Sequence, residues 1–192
     1  MACGDQGNQT GPPPLFVRVV VRVVSPASDQ TSALVVAAQS GDAMAMHDLL
    51  DHLAPYVGRI CGSIALVEGP DAAQETLVAV FRHLGSLRDP AALHGWVRRI
   101  AVREAVHLAR ARQRTGPVPD LSELPTPGDV EQATDIADLL TRLAPEHRAM
   151  LILRDREGLS EAEAASLLDL PPGTVKSRLH RARKSFRRAW EA

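Results

Sequence analysis

A run of polar and cationic side chains fills the last turns of this chain: Lys176, Ser177, Arg178, His180, Arg181, Arg183, Lys184, Arg187 and Arg188. A helix through them gathers Val175, Leu179, Ala182, Phe186 and Trp190 into one apolar stripe and leaves the polar groups on the rest of the surface. Arginine and lysine donate hydrogen bonds to guanine edges, and an α-helix fits the major groove of B-DNA. The chemistry on offer is therefore recognition. Lys176, Ser177, His180 and Arg181 lie where early turns meet base edges, and Arg183, Lys184 and Arg187 where later turns meet phosphate. Thr174 and Arg178 complete the expected DNA-contacting set on this helix.

Covalent chemistry finds little support. His47 and His52 do not share a helical face, and His83, His94, His107, His147 and His180 are scattered. No phosphate-binding glycine loop, nucleophile elbow or zinc-protease motif occurs. Asp71 and Glu75 are spaced as paired carboxylates on a helix, but no companion ligand accompanies them. Cys3 and Cys61 have neither metal-ligand nor disulfide spacing, and Cys61 falls on an apolar stripe as a core thiol. Neither catalytic residues nor a metal nor a cofactor is expected.

The elements that position the cationic helix precede it directly. Ser160-Glu161-Ala162-Glu163 has the form of a capping box, in which Ser160 accepts from the Glu163 backbone and Glu163 reaches back. Ala164, Ala165, Leu167 and Leu168 make a helix that another can cross closely. Asp169-Leu170-Pro171-Pro172-Gly173 ends it, and Thr174 is suited to cap the next. This order is that of a helix-turn-helix.

Upstream, Met46, Leu49, Leu50, Leu53, Val57, Ile60, Cys61 and Ile64 recur at helical spacing, with Pro55 a candidate kink. A helix opening at Gly69-Pro70 carries an apolar face of Ala73, Leu77, Val80, Phe81 and Leu84. A further helix turns Leu93, Trp96, Val97, Ile100 and Leu108 inward. Aromatic residues are scarce, which favours packed helices. The expected fold is all-α: two small helical domains joined by an acidic, Pro/Gly-rich linker.

The chain has 192 residues and a formal net charge of −1, but its charges are segregated. Asp29 to Glu75 is acidic except for Arg59, Arg82 to Arg114 mostly Arg, Asp120 to Asp138 acidic and Lys176 to Arg188 basic. Two basic blocks point to two nucleic-acid surfaces, the first including Arg98, Arg99 and Arg103. No stretch is long enough to span a membrane, and Leu15 to Val24, of strand composition, lacks the pattern of a secretory leader. A cytoplasmic protein without membrane insertion is expected.

Three stretches carry a resemblance: Leu143-Ala144-Pro145-Glu146-His147-Arg148, then Leu153 to Ser160, then Gly173-Thr174-Val175-Lys176-Ser177-Arg178-Leu179-His180-Arg181-Ala182-Arg183. Together they resemble region 4 of extracytoplasmic-function sigma factors, the small specificity subunits of bacterial RNA polymerase. Asp169 stands where that family usually has Gly, and Asp tolerates left-handed backbone better than most residues. Asp71-Ala72-Ala73-Gln74-Glu75-Thr76, with Phe81, Leu84 and the Trp96 helix, resembles region 2. The resemblance implies a protein that is not an enzyme itself. Asp71, Gln74 and Glu75 would dock on core RNA polymerase. Region 2 would serve the −10 element of promoter DNA and region 4 the −35 element. An anti-sigma factor is a regulator the resemblance admits, although no residue identifies one.

On this reading residues 31–112 form region 2, 113–133 the linker and 134–192 region 4. Residues 1–30 match nothing and are expected to be a dispensable extension or the product of an upstream start. Arg103 and His107 replace an Asn and an Asp usual in relatives. Either they alter the preference for the −10 element, or they are tolerated surface changes. The rival reading is another helix-turn-helix regulator, which binds its operator without polymerase. It accounts for the last third of the chain but not for Asp71 to Glu75 or the Trp96 helix.

Overall fold

The computed structural model describes residues 29–115 and 139–190. The apolar stretch Leu15 to Val24, almost all of the linker and the side chain of Trp190 lie outside the described residues. Among those residues the regular structure is entirely helical, in two domains. The first holds α1 (Asp29–Gln39), α2 (Ala43–Ala65), α3 (Gly69–His83) and α4 (Leu93–Thr115). The second holds α5 (Pro145–Leu151), α6 (Glu161–Leu168) and α7 (Pro172–Trp190), with residues 139–141 also helical before α5.

Local chemistry starts and ties these helices. Asp42 caps α2, its carboxylate accepting from the N–H groups of Met44 (2.9 Å) and Ala45 (3.1 Å). The Gln39 amide closes α1 onto the end of α3 through the carbonyls of Leu84 (2.9 Å) and Leu87 (2.8 Å). α2 continues through Pro55 without interruption. Its predicted stripe holds, with Leu49, Leu53, Val57, Ile60, Cys61 and Ile64 all buried. Cys61 is a core thiol as expected. It lies 3.8 Å from the Thr76 hydroxyl, and burial, partly offset by that hydroxyl, pushes its pKa up to about 11.

The face of α3 meets the sequence expectation at Val80 and Leu84, both buried, and departs from it at Phe81. Gly69, Ala72, Thr76 and Val80 point inward, while Ala73 and Leu77 are half-buried and Phe81 is 59 % exposed. The cause is a close helix crossing. A Cβ added to Gly69 would sit 2.7 Å from the Gly62 Cα. Small residues of α3 face α2 at this crossing, while Ala73 and Leu77 pack at the edge of the core and Phe81 is turned outward. There Ala73, Leu77, Val78 and Phe81 form an open groove with Leu50, Ala54 and Pro70.

The two domains share one interface. Ala149, Ile152, Leu153 and Leu159 belong to the apolar core built by α1 to α4. A wider, π-type turn over Ile152–Arg156 extends α5. Arg148, only 4 % exposed, anchors the junction. Its Nε donates to the Ile64 carbonyl at the end of α2 (2.6 Å), and its Nη1 to the carbonyls of Leu143 (2.8 Å) and Leu140 (3.2 Å). The last carbonyls of a helix have no partner within it and carry the negative end of its dipole. One guanidinium thus serves the end of α2 and the turn before α5. Burial lowers its pKa to about 10, against the opposing pull of Glu146, so it stays charged at neutral pH.

Replacing Arg148 by Met takes the guanidinium donors from the Ile64 and Leu143 carbonyls and leaves Leu140 only its bond from the Leu143 N–H (3.1 Å). Urea unfolding of Arg148→Met is expected to show a loss of about 2–4 kcal/mol. Arg148→Lys is expected to recover less than half of it, because an ammonium cannot reproduce the planar fork. Equal stability of Arg148→Met and the parent contradicts this anchoring role.

Candidate nucleic-acid interface

The turn before α7 is built from four local devices. Ser160 and Glu163 form the complete capping box: the Glu163 N–H donates to the Ser160 hydroxyl (3.2 Å) and the Ser160 N–H to the Glu163 carboxylate (2.7 Å). Those bonds hold the exposed Glu163 carboxyl below its usual range. Gly158 supplies a positive φ of 69° before the cap. Asp169 ends α6 with φ 53°, in the left-handed region expected of it. The Leu170 N–H then closes onto the Ala165 carbonyl at 2.9 Å.

The start of α7 corrects one expectation. Thr174 is not the cap. The helix opens at Pro172, and the Thr174 N–H donates to the Pro171 carbonyl at 2.8 Å from within the first turn. Proline suits that position, because its fixed φ is helical and its missing N–H would have had no partner.

α7 is sharply two-sided. Val175, Leu179 and Ala182 are buried against Ala164, Ala165, Met150 and Leu151, with Phe186 half-buried. Lys176, Ser177, His180, Arg181, Lys184 and Arg187 are exposed, and Thr174 and Arg178 half-buried. Arg183 is exposed but engaged, its Nη2 donating to Asp155 at 2.6 Å. That bond raises the Arg183 pKa and ties the middle of α7 to the turn after α5. The Ser177 hydroxyl donates back to the Thr174 carbonyl (3.0 Å) and keeps its lone pairs for an external donor. The helix therefore offers a continuous polar and cationic surface on a buried apolar keel, the arrangement that major-groove reading requires.

The first basic block lies on α4, and its arginines differ in circumstance. Arg98 is half-buried, with Nε donating to the Tyr56 hydroxyl at 2.8 Å and lying 4.0 Å from Glu157 of the second domain. Burial raises the Tyr56 pKa against the opposing effect of Arg98. Arg99 donates to the Ser166 hydroxyl on α6 at 3.2 Å. Arg103, with its side chain 74 % exposed, makes a 3.4 Å contact with Glu104, and His107 is exposed. At the start of α4, His94 meets the rings of Tyr56 and His52 edge-on. Its Nδ1 is buried without a hydrogen-bond partner, and burial lowers its pKa.

A third surface lies on α3, where Asp71, Gln74 and Glu75 are all exposed. Gln74 also lines the apolar groove of Leu77 and Phe81. The predicted residues thus fall on three helices, not in one cluster. Sequence reading missed Tyr56, Arg148 and Glu157, whose partners are remote in the chain, and it took the exposed Phe81 for core. Among the described residues no group of three or more His, Cys, Asp or Glu side chains is arranged to hold a metal ion, and no helix is long and apolar enough to cross a membrane.

Two family models match this chain: Sigma-70 region 2 over residues 46–115 and Sigma-70, region 4 over residues 133–186. The RNA polymerase sigma-H factor of Pseudomonas aeruginosa is 32 % identical over 185 residues, covering 84 % of this chain and 94 % of that protein. The ECF RNA polymerase sigma-E factor of Haemophilus influenzae is 29 % identical over 171 residues, covering 79 % of this chain and 90 % of that protein. Among solved structures, the sigma factor RpoE of Bartonella quintana, determined with the anti-sigma factor NepR, superposes with a TM-score of 0.62 at 22 % identity, over 76 % of this chain and 96 % of that one. That last likeness bears on the fold alone. With both regions matched in order on one chain, the protein belongs to the sigma-70 family of RNA polymerase sigma factors, in its extracytoplasmic-function (ECF) group.

Proposed function

We propose that this protein binds core RNA polymerase and directs it to a defined set of promoters, acting in the cytoplasm without catalytic activity of its own. The observation that carries the proposal is the pairing of region 2 and region 4 on one chain with the exposed cationic face of α7. Residues 31–112 act as region 2, 113–133 as connector and 134–192 as region 4. α7 reads the −35 element. Lys176, Ser177, His180 and Arg181 face the bases. Lys184 and Arg187 meet phosphate, as does Arg183 when it leaves Asp155. Arg98, Arg99 and Arg103 on α4 serve the −10 element. Asp71, Gln74 and Glu75 hold the polymerase, and the adjoining groove of Leu77 and Phe81 supplies apolar contact area. An anti-sigma factor, as seen with the Bartonella relative, is a natural regulator. An operator-binding regulator would leave the α3 surface without a use.

Run-off transcription with purified core polymerase is expected to give discrete promoter-specific products only when the protein is present. Specific binding to DNA by the protein alone, with no effect on polymerase, contradicts the proposal. Within α7, Arg181→Ala is expected to cost about 1–3 kcal/mol at one −35 position and relax selectivity there. Arg187→Ala is expected to weaken all promoters alike and lower the salt slope by about one. Identical effects of the two substitutions on a panel of −35 variants contradict the division of roles. Reversing charge with Asp71→Lys and Glu75→Lys is expected to weaken core binding at unchanged helicity, measured by fluorescence anisotropy and circular dichroism.

A further inference from the structure

The groove on α3 is an apolar surface whose occupant has still to be named. It holds about 470 Å³ between Leu50 and Ala54 of α2 and Leu77 and Phe81 of α3, room for several aliphatic side chains. Gln74 is the polar residue of its lining. Asp71 and Glu75, both exposed, stand one helical turn apart beside Gln74. An occupant that suits this surface is a short aliphatic peptide with two cations set four residues apart.

The chain carries such a peptide outside the described residues. Leu15 to Val24 is aliphatic apart from Phe16, Arg18 and Arg22. Residues four apart lie on one side of a helix and of an extended segment alike. Arg18 and Arg22 therefore share a side, and the valines fill the rest. Between residues 6 and 58 these two are the only Arg or Lys, so the first half of the region 2 domain offers carboxylates with no neighbouring cation of that stretch to compete for them. The region 2 family model begins at residue 46, so the peptide stands outside the machinery that the family shares.

The tether has the right length. Gln39, the last residue of α1, is bonded to the carbonyls of Leu84 and Leu87, just beyond Phe81. From there α1, of 11 residues, runs back about 16 Å to Asp29. Residues 25–28 link Asp29 to Val24 with a reach of about 17 Å, enough to return along the same path. A link this short keeps the peptide at roughly millimolar effective concentration near the groove. Contacts that would be weak between separate molecules suffice to hold it there.

We propose that Leu15 to Val24 docks in the α3 groove, valines against Leu77 and Phe81 and Arg18 and Arg22 against Asp71 and Glu75, and so competes with core polymerase for that surface. The competition rests on the sigma-factor reading above; the docking does not. An extension dispensable for transcription thereby sets how readily the protein enters the polymerase. Apparent affinity falls by the fraction of time that the surface is covered.

The test places photoreactive benzoylphenylalanine at position 16 of the full chain, in place of Phe16, and maps the cross-links by mass spectrometry. Cross-links within one chain to residues 70–81 or to Leu50 and Ala54 are expected, and they are expected to vanish with Arg18→Glu and Arg22→Glu. Excess core polymerase is expected to suppress them in the parent. In the otherwise unmodified chain, the same two substitutions are expected to strengthen polymerase binding roughly three- to tenfold, the factor for a groove covered about two-thirds to nine-tenths of the time. Cross-links elsewhere on the chain overturn the inference, as do links between two copies, distinguished by mixing isotopically light and heavy protein. Equal polymerase affinity of parent and double variant overturns the competition. Failure of both to bind polymerase overturns the functional reading instead, and the cross-links then decide the docking by themselves.

Discussion

A single buried cation, the guanidinium of Arg148, joins the two halves of this molecule. It accepts the cost of leaving water, visible in its lowered pKa, because it supplies a charged donor to the carbonyls of Ile64 and Leu143 and a second donor to that of Leu140, which also accepts from the Leu143 N–H. Hydrogen bonds with a charged partner contribute more than neutral ones, about 1.5–3 kcal/mol each. The Ile64 carbonyl is free to accept only because α2 stops there. The stop is imposed by Leu66, which takes φ 59° and ψ −113° at the helix end. That conformation costs a non-glycine residue on the order of 1–3 kcal/mol, so the surrounding packing must hold it. Backbone strain at Leu66, an unpaired helix terminus and a buried cation are therefore parts of one arrangement.

Around that junction, helix faces are allocated by size and charge. Small residues mark the places where helices approach closely, at Gly62 against Gly69 and at Ala164 and Ala165 under α7. Arginines occupy what is left, and their individual settings decide what each can do. Arg181 and Arg187 project into solvent, Arg183 is tied to Asp155, and Arg98 is drawn into the junction. A basic block in the sequence thus becomes several distinct electrostatic environments.

The legible parts of the fold were those with short-range causes. The Ser160–Glu163 capping box, the left-handed Asp169, the apolar keel of α7 and the α2 stripe all depend on residues within a turn or two of one another. The errors have the same explanation in reverse. The inward face of α3 depends on how near α2 approaches, and periodicity carries no information on that distance. Proline at the start of α7 was read only as an end to α6, although it serves equally as a beginning. Arg148 lies within a stretch recognised by resemblance, but its partner Ile64 is 84 residues away. Nothing in the local pattern separates it from the arginines at the surface.

The outward-turned residues of α3 have a consequence for the protein as a solute. Phe81 and Leu77 leave an apolar trough open to water, next to the negative charges of Asp71 and Glu75. At low ionic strength those carboxylates keep like troughs apart on different molecules. Added salt shortens the range of that repulsion, and strongly hydrated salts such as sulfate strengthen apolar association. Free protein should therefore be most soluble in dilute buffer and self-associate as sulfate is raised, the opposite of what its basic α7 would do in the presence of nucleic acid.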